Sequence, residues 1–179
     1  MLPDHNWTRL RVKTLETKTW KGIVMLVVVG CYVAAVLLPA FRFASHIPPD
    51  PIVGEVEIYP GWFVLVFGPM GIIFLEQPAI AWLANCTFVA GILFYGFGRF
   101  GNAAALAMTS AILGASFFWT SRSHPMRVLF SGRDDFMNHP IPMLGFFFWM
   151  SSFAILFVGA LLGKLARRAR PEKGARDNF

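Results

Sequence analysis

Four stretches of this chain contain no charged residue and are each 20 or more residues long: 22–41, 78–98, 100–121 and 140–163. An α-helix needs about 20 predominantly apolar residues to cross the hydrocarbon core of a bilayer. Charged residues make up only 15% of the chain, against about 25% in soluble domains, and this is too few to cover a water-soluble body. The four stretches therefore predict an all-α, polytopic membrane protein.

A fifth apolar stretch, at 61–75, is shorter than the others. Its 15 residues rise about 22 Å as a helix, which is less than the roughly 30 Å thickness of the hydrocarbon core. Gly68, Pro69 and Gly71 lie near its middle and are candidates to break it. We predict four transmembrane helices plus one short re-entrant or interfacial half-helix.

The distribution of Lys and Arg indicates how often the chain crosses the membrane, because cytoplasmic segments are enriched in them. With four crossings and both termini in the cytoplasm, twelve of the 16 basic residues lie inside and four lie outside. With five crossings, each side carries eight. The imbalance favours a four-span protein with both termini cytoplasmic.

This topology assigns the remaining segments. Residues 1–21 and 164–179 are basic cytoplasmic tails, and residues 22–163 are a single transmembrane domain with outer loops at 42–60 and 122–139. We expect the first span to stay in the mature protein, since no signal-peptide cleavage site precedes Arg42. Residues 52–59, IVGEVEIY, alternate apolar and acidic side chains, which predicts a short strand without an evident partner in this chain. Such a strand packs on the second outer loop or pairs with a neighbouring protein.

The link GRFG at 98–101 forces the second and third spans into an antiparallel hairpin. Both spans are rich in Gly and Ala, which let membrane helices approach closely, so we expect this hairpin to form the packing core. The aromatic cluster at 145–149 is interpreted as an interfacial belt. The alternative is a surface for lipid, quinone, carotenoid or a neighbouring helix.

Polar side chains interrupt the apolar sequence near the start of the second span, at Glu76, Gln77 and Asn85. An acid inside a membrane is by default a hypothesis for a functional site. The competing interpretation is a helix-start device, because Pro78 suits the first helical position and the helix dipole stabilises a nearby acid. Asn85, about two turns into the span, is a candidate for a hydrogen bond between helices.

The second outer loop holds the other candidate residues. Histidines occur in both outer loops, but they lack the ligand spacing of a zinc site, so we predict no metal. The loop is instead a candidate surface for a partner, through His124, Arg127, Arg133, Asp134, Asp135 and His139.

The chain lacks the GxSxG, HExxH and P-loop patterns of common enzymes, and the G-x-G-x-x-G spacing at 96–101 links two apolar spans instead of following a strand as a Rossmann site does. No span contains a histidine for haem, and no loop contains a cysteine for disulfide-generating chemistry. The net charge of +6 flanks the spans, and we assign it to topology and lipid headgroups rather than to nucleic acid. We predict a protein that is not an enzyme and has no cofactor. A bound lipid, quinone or pigment stays open, because Phe and Trp alone can build such a site.

Residues 60–85 read PGWFVLVFGPMGIIFLEQPAIAWLAN, and an apolar span, a short basic Gly turn and an Ala/Leu-rich span follow. This pattern resembles a loose family of small, uncharacterised bacterial membrane proteins, in which a GW opening and a Gly-broken apolar run precede A-W-L-A-N. The resemblance covers about residues 60–163 and implies no activity. The matching positions are Gly61, Trp62, Gly68, Gly71, Ala81, Trp82, Leu83, Ala84 and Asn85.

Three functions fit these observations. The first is a non-catalytic accessory or assembly subunit of a larger bacterial inner-membrane complex, with the bilayer and other membrane subunits as partners. The second is a small channel or transporter with a polar site at Glu76, Gln77 and Asn85. The third is an outer-face sensor or immunity-type protein that binds a partner through its loops.

Overall fold

The computed structural model describes residues 5–44, 56–73, 77–123 and 140–168. Among these residues, four segments are long and apolar enough to cross a membrane: Thr19–Leu37, Ala79–Gly96, Phe100–Thr120 and Leu144–Arg168. A shorter apolar helix accompanies these four. The predicted fold class, four membrane-spanning helices plus one short helix, is therefore confirmed. The α-helices are α1 (His5–Leu37), α2 (Gly61–Ile73), α3 (Leu83–Gly96), α4 (Phe100–Ser123) and α5 (Leu144–Arg168), a 3₁₀ helix covers Gln77–Trp82, and the strands are β1 (Pro39–Ala44), β2 (Val56–Pro60) and β3 (Ile141–Pro142).

The first long helix ends where proline makes its continuation unfavourable. Pro39 has no backbone N–H, and its ring disfavours the helical conformation of Leu38. The chain is extended from Pro39 onward, so residues 39–41, which the sequence places in the first span, lie in β1. The N-terminal tail is helical from His5 onward, because α1 runs without interruption from His5 to Leu37. The 33 residues of α1 rise about 50 Å.

A small antiparallel sheet, in the order β2-β1-β3, lies at one end of the helices. Arg42 of β1 is opposite Ile58 of β2 and Ile141 of β3. The prediction of a strand without a partner in the chain was wrong, since β1 pairs with β2. The alternating pattern identified β2, but the apolar sequence PAFRFA of β1 reads equally well as the end of a span. We call this end of the molecule the sheet end, and the opposite end, with the α3–α4 link, the turn end.

The four long helices share one apolar core. In it α5 packs against both α1 and α4, and α4 packs against α3. Its fully buried large side chains are Val28 of α1, Phe88 and Tyr95 of α3, and Phe153 and Leu156 of α5. The α3–α4 hairpin contributes the buried alanines of α4, which are Ala103, Ala104 and Ala107. The core extends beyond this hairpin, because side chains of α1 and α5 complete it.

Glycines set the closest helix approaches. A Cβ atom added to Gly159 of α5 would lie 2.6 Å from Val24 Cγ1 of α1, and one added to Gly114 of α4 would lie 2.8 Å from Met150 Sδ of α5. These distances are shorter than van der Waals contact, so a side chain at either position would displace the neighbouring helix or the side chain that it meets.

Part of the aromatic cluster at 145–149 faces inward. Phe146 is only 3% exposed and packs with Phe41 of β1 and Phe117 of α4 in a second apolar cluster at the sheet end. Phe147 is exposed. The interfacial-belt interpretation therefore fits Phe147, whereas Phe146 joins the sheet to the helices.

Candidate functional site

One backbone hydrogen bond of α2 is missing, because Pro69 has no N–H to donate to the carbonyl of Leu65. The indole Nε1 of Trp82 donates to that carbonyl instead, at 2.9 Å. A Cβ atom on Gly68 would collide with the Trp82 ring, so glycine provides the space that the indole occupies. The expected break near Pro69 is absent, and α2 continues to Ile73.

One polar contact between the spans is the Asn85 centre, formed by Asn85 of α3, Tyr32 of α1 and Trp149 of α5. The Asn85 side chain is 9% exposed. Its Oδ1 accepts a hydrogen bond from the Tyr32 hydroxyl at 3.0 Å and one from Trp149 Nε1 at 2.8 Å. A single amide oxygen therefore joins three of the four long helices.

Aromatic rings surround the Asn85 centre. The Tyr32 ring stacks on Phe88 with centroids 5.2 Å apart, and Phe153 lies 4.8 Å from both Phe88 and Trp149. Apolar rings lower the local dielectric, which strengthens a hydrogen bond and raises the cost of leaving a donor unpaired. The positions of Tyr32 and Trp149 are thus coupled to the presence of the Asn85 carbonyl.

A second polar contact between helices joins α3 to α4. Thr87 Oγ1 and Ser110 Oγ are 2.7 Å apart, and either can donate. Each hydroxyl also has a carbonyl of its own helix within reach, that of Ala84 at 3.1 Å from Thr87 Oγ1 and that of Leu106 at 2.8 Å from Ser110 Oγ. Because a hydroxyl has one hydrogen, the hydroxyl that donates to the other helix leaves the second one to donate to its own helix carbonyl. These are the roles that hydroxyls commonly take inside membrane helices.

The structure describes only part of the predicted polar site. Glu76 lies outside the described residues, and Gln77 begins the 3₁₀ helix with its side chain undescribed. Asn85 is described and takes part in the predicted kind of contact, a hydrogen bond between helices. The outer-loop candidates all lie outside the described residues: His124, Arg127, Arg133, Asp134, Asp135 and His139.

Sequence reasoning missed the donors of these contacts, which are Tyr32, Trp82 and Trp149. Each is an aromatic side chain with one polar atom inside an apolar segment, and such atoms usually find a hydrogen-bond partner when buried. That rule could have identified them as one half of a contact. Their partners could not be read from the sequence, because the spans are apolar on all sides and give no indication of which faces meet.

The Asn85 centre contains an amide, a phenol and an indole, and its described hydrogen bonds run from the phenol and the indole to the amide oxygen. In the described part of the chain, no three His, Cys, Asp or Glu side chains come together as a metal site. In the structure these three groups form hydrogen bonds between helices. Comparisons of the chain with protein-family models, curated proteins and solved structures gave no match.

Proposed function

We propose that this membrane protein is a non-catalytic accessory or assembly subunit of a larger complex in a bacterial inner membrane, with both termini in the cytoplasm. The main support is the use of three of its buried polar side chains. Asn85, Ser110 and Ser152 each bond to a neighbouring helix or to their own backbone. The bonds of Asn85 and Ser110 join neighbouring helices, as a scaffold that presents surfaces to other subunits requires.

The same observation disfavours the channel or transporter. Polar groups along a transport path must exchange their bonds with a passing ion or substrate. The Oδ1 atom of Asn85 already accepts two hydrogen bonds inside a shell of aromatic rings. If transport nevertheless occurs, Glu76→Gln abolishes a flux measured in proteoliposomes, and this result would replace the subunit proposal.

The short helix α2 supplies the most specific support for a partner. Its 13 residues rise about 20 Å, so it cannot cross the roughly 30 Å hydrocarbon core. Backbone that stops at membrane depth is tolerated only where protein covers it. One face of α2 is an exposed apolar stripe at helical spacing: Trp62, Val66, Met70 and Ile73. We assign this stripe to contact with a transmembrane helix of a partner subunit.

Site-specific photo-crosslinking in the native membrane tests this assignment. A photoreactive amino acid is placed at Val66 on the α2 stripe and, as a matched control, at Ile112 on α4, because these side chains are 58% and 60% exposed. We expect one discrete protein adduct from position 66 and none from position 112. Lipid adducts alone at position 66, or the same protein adducts at both positions, would contradict the proposal.

The third function, an outer-face sensor or immunity-type protein, depends on the loop that contains His124 to His139. Exchange of residues 122–139 for an unrelated loop separates it from the subunit proposal. A subunit docked through α2 keeps its partner after the exchange, whereas a protein that binds through the loop loses it.

A further inference from the structure

A cavity of about 370 Å³ lies at the turn end, between the start of α4 and the end of α5. Its volume is within the range of about 300–1,000 Å³ that holds small ligands. The cavity, which we call the turn-end pocket, is lined by three cations, Arg99, Lys164 and Arg167, and by the first turn of α4 at residues 100–102.

Two backbone hydrogen bonds and one side-chain hydrogen bond hold the link between α3 and α4. Gly98 has a φ of +73°, the left-handed conformation that glycine adopts without strain. Its N–H donates to the Tyr95 carbonyl at 2.9 Å, and the Arg99 N–H donates to the Phe94 carbonyl at 2.8 Å. This pair of bonds is the Schellman motif. Arg167 Nη1 donates to the Gly98 carbonyl at 3.3 Å, so a side chain of α5 is fixed against the turn.

The first turn of α4 adds hydrogen-bond donors to these cations. The first N–H groups of a helix have no partner within it, and the helix dipole makes this end positive. An acid usually balances that charge, but the first turn of α4 contains none. Lys164 and Arg167 are favourably placed at the C-terminal end of α5. Arg99 is not, because it is a cation at the N-terminal end of α4.

None of the described side chains is an aspartate or a glutamate, so none of them places a carboxylate beside the cations of the pocket. Within the described part of the chain, therefore, no carboxylate neutralises Arg99, Lys164 or Arg167. Phosphate oxygens match this donor set, because guanidinium groups bind them with paired hydrogen bonds and helix N-termini bind them through backbone N–H groups.

The surroundings of the pocket indicate the source of the phosphate. Phe97, in the α3–α4 link, is 80% exposed, and Leu165 of α5 is exposed beside Lys164. Apolar side chains next to a basic cavity at the end of a helical bundle suit a molecule with acyl chains and an anionic headgroup. We propose that the turn-end pocket binds the phosphate group of an anionic phospholipid.

Native mass spectrometry of the purified full chain tests the proposal. The protein is titrated with phosphatidylglycerol or with phosphatidylcholine of the same acyl chains, and inorganic phosphate is added in a separate arm. We expect one phosphatidylglycerol to bind at least about 10-fold more tightly than phosphatidylcholine, since each membrane-facing cation adds to the attraction of an anionic lipid. The double variant Arg99→Gln/Arg167→Gln should lose this preference.

Two further variants separate binding from folding and from total charge. Arg42→Gln/Arg168→Gln removes the same charge from exposed positions outside the pocket and should retain the preference. Asn102→Asp places an acid in the first turn of α4, where it should raise the melting temperature without lipid and still weaken phosphatidylglycerol binding by repulsion. Weakened binding in a more stable protein cannot be attributed to misfolding.

Three results would overturn the proposal. The first is equal binding of both lipids by the unaltered protein. The second is an equal loss of preference in the pocket variant and the charge-matched control. The third is tight binding of inorganic phosphate without any lipid preference, which would assign the pocket to a soluble phosphate compound.

Discussion

Replacement of Asn85 by leucine should destabilise the protein through the Asn85 centre. The variant keeps a side chain of similar shape but removes the acceptor that joins α1, α3 and α5. A hydrogen bond between membrane helices contributes about 0.6–1.7 kcal/mol. Loss of two such bonds should therefore lower the free energy of unfolding by about 1–3 kcal/mol.

The free energy of unfolding is measured by titration from a mild detergent into sodium dodecyl sulfate, with helix content followed by circular dichroism. This readout does not depend on tryptophan fluorescence, so the same assay also suits the Trp82→Phe variant described below. Thr109→Val is the matched control, since the Thr109 hydroxyl bonds only within its own helix, to the Ala105 carbonyl at 3.0 Å. The control should change the free energy by less than about 0.5 kcal/mol.

A double-mutant cycle distinguishes a hydrogen bond from a simple packing effect. Tyr32→Phe alone should cost about 0.6–1.7 kcal/mol. In the Asn85→Leu background it should cost almost nothing, because its hydroxyl has already lost the acceptor. Additive effects of the two substitutions, or a cost of Asn85→Leu no larger than that of the control, would refute this reasoning. Asn85→Ala serves as a second variant in case leucine is too large for the site.

Three further predictions use the same unfolding assay. Thr87→Val should cost about 0.6 kcal/mol more than Thr109→Val, because only Thr87 bonds to another helix through Ser110; equal costs would contradict the contact. Trp82→Phe should cost about 1–2 kcal/mol by leaving the Leu65 carbonyl unpaired, and Pro69→Ala should remove most of that cost by restoring a backbone N–H; an unchanged cost in the double variant would show that the indole bond is unimportant. Gly159→Ala should cost about 1–3 kcal/mol by forcing α5 away from Val24, whereas Gly30→Ala, which has open space around its Cβ, should be neutral or stabilising; similar results for both would argue against close packing at Gly159.

The helical architecture was predictable because the length and hydropathy of a span are local properties of the sequence. The half-helix was predictable for the same reason, since 61–75 is simply too short to cross. The role of Asn85 between helices also followed from its type and depth. An amide inside an apolar span needs a partner, and other helices are the nearest source.

The remaining contacts depend on long-range geometry. β1 was missed because PAFRFA has no alternating pattern, and its strand conformation comes from pairing with β2. The continuity of α2 was missed because the acceptor freed by Pro69 is satisfied by Trp82, 17 residues away from Leu65. The inward position of Phe146 was missed because spans that are apolar on every face do not reveal their orientation.

The role as a subunit of a larger complex is tested most directly by the mass of the particle in its own membrane. The protein is tagged at its chromosomal locus, extracted in a mild detergent and weighed by native mass spectrometry, with each component identified after dissociation. The account predicts one particle of fixed stoichiometry, in which this 20.0 kDa chain is joined by other membrane subunits, and loss of that particle when the chain is deleted. A particle that contains only this chain and lipid would contradict the proposed function.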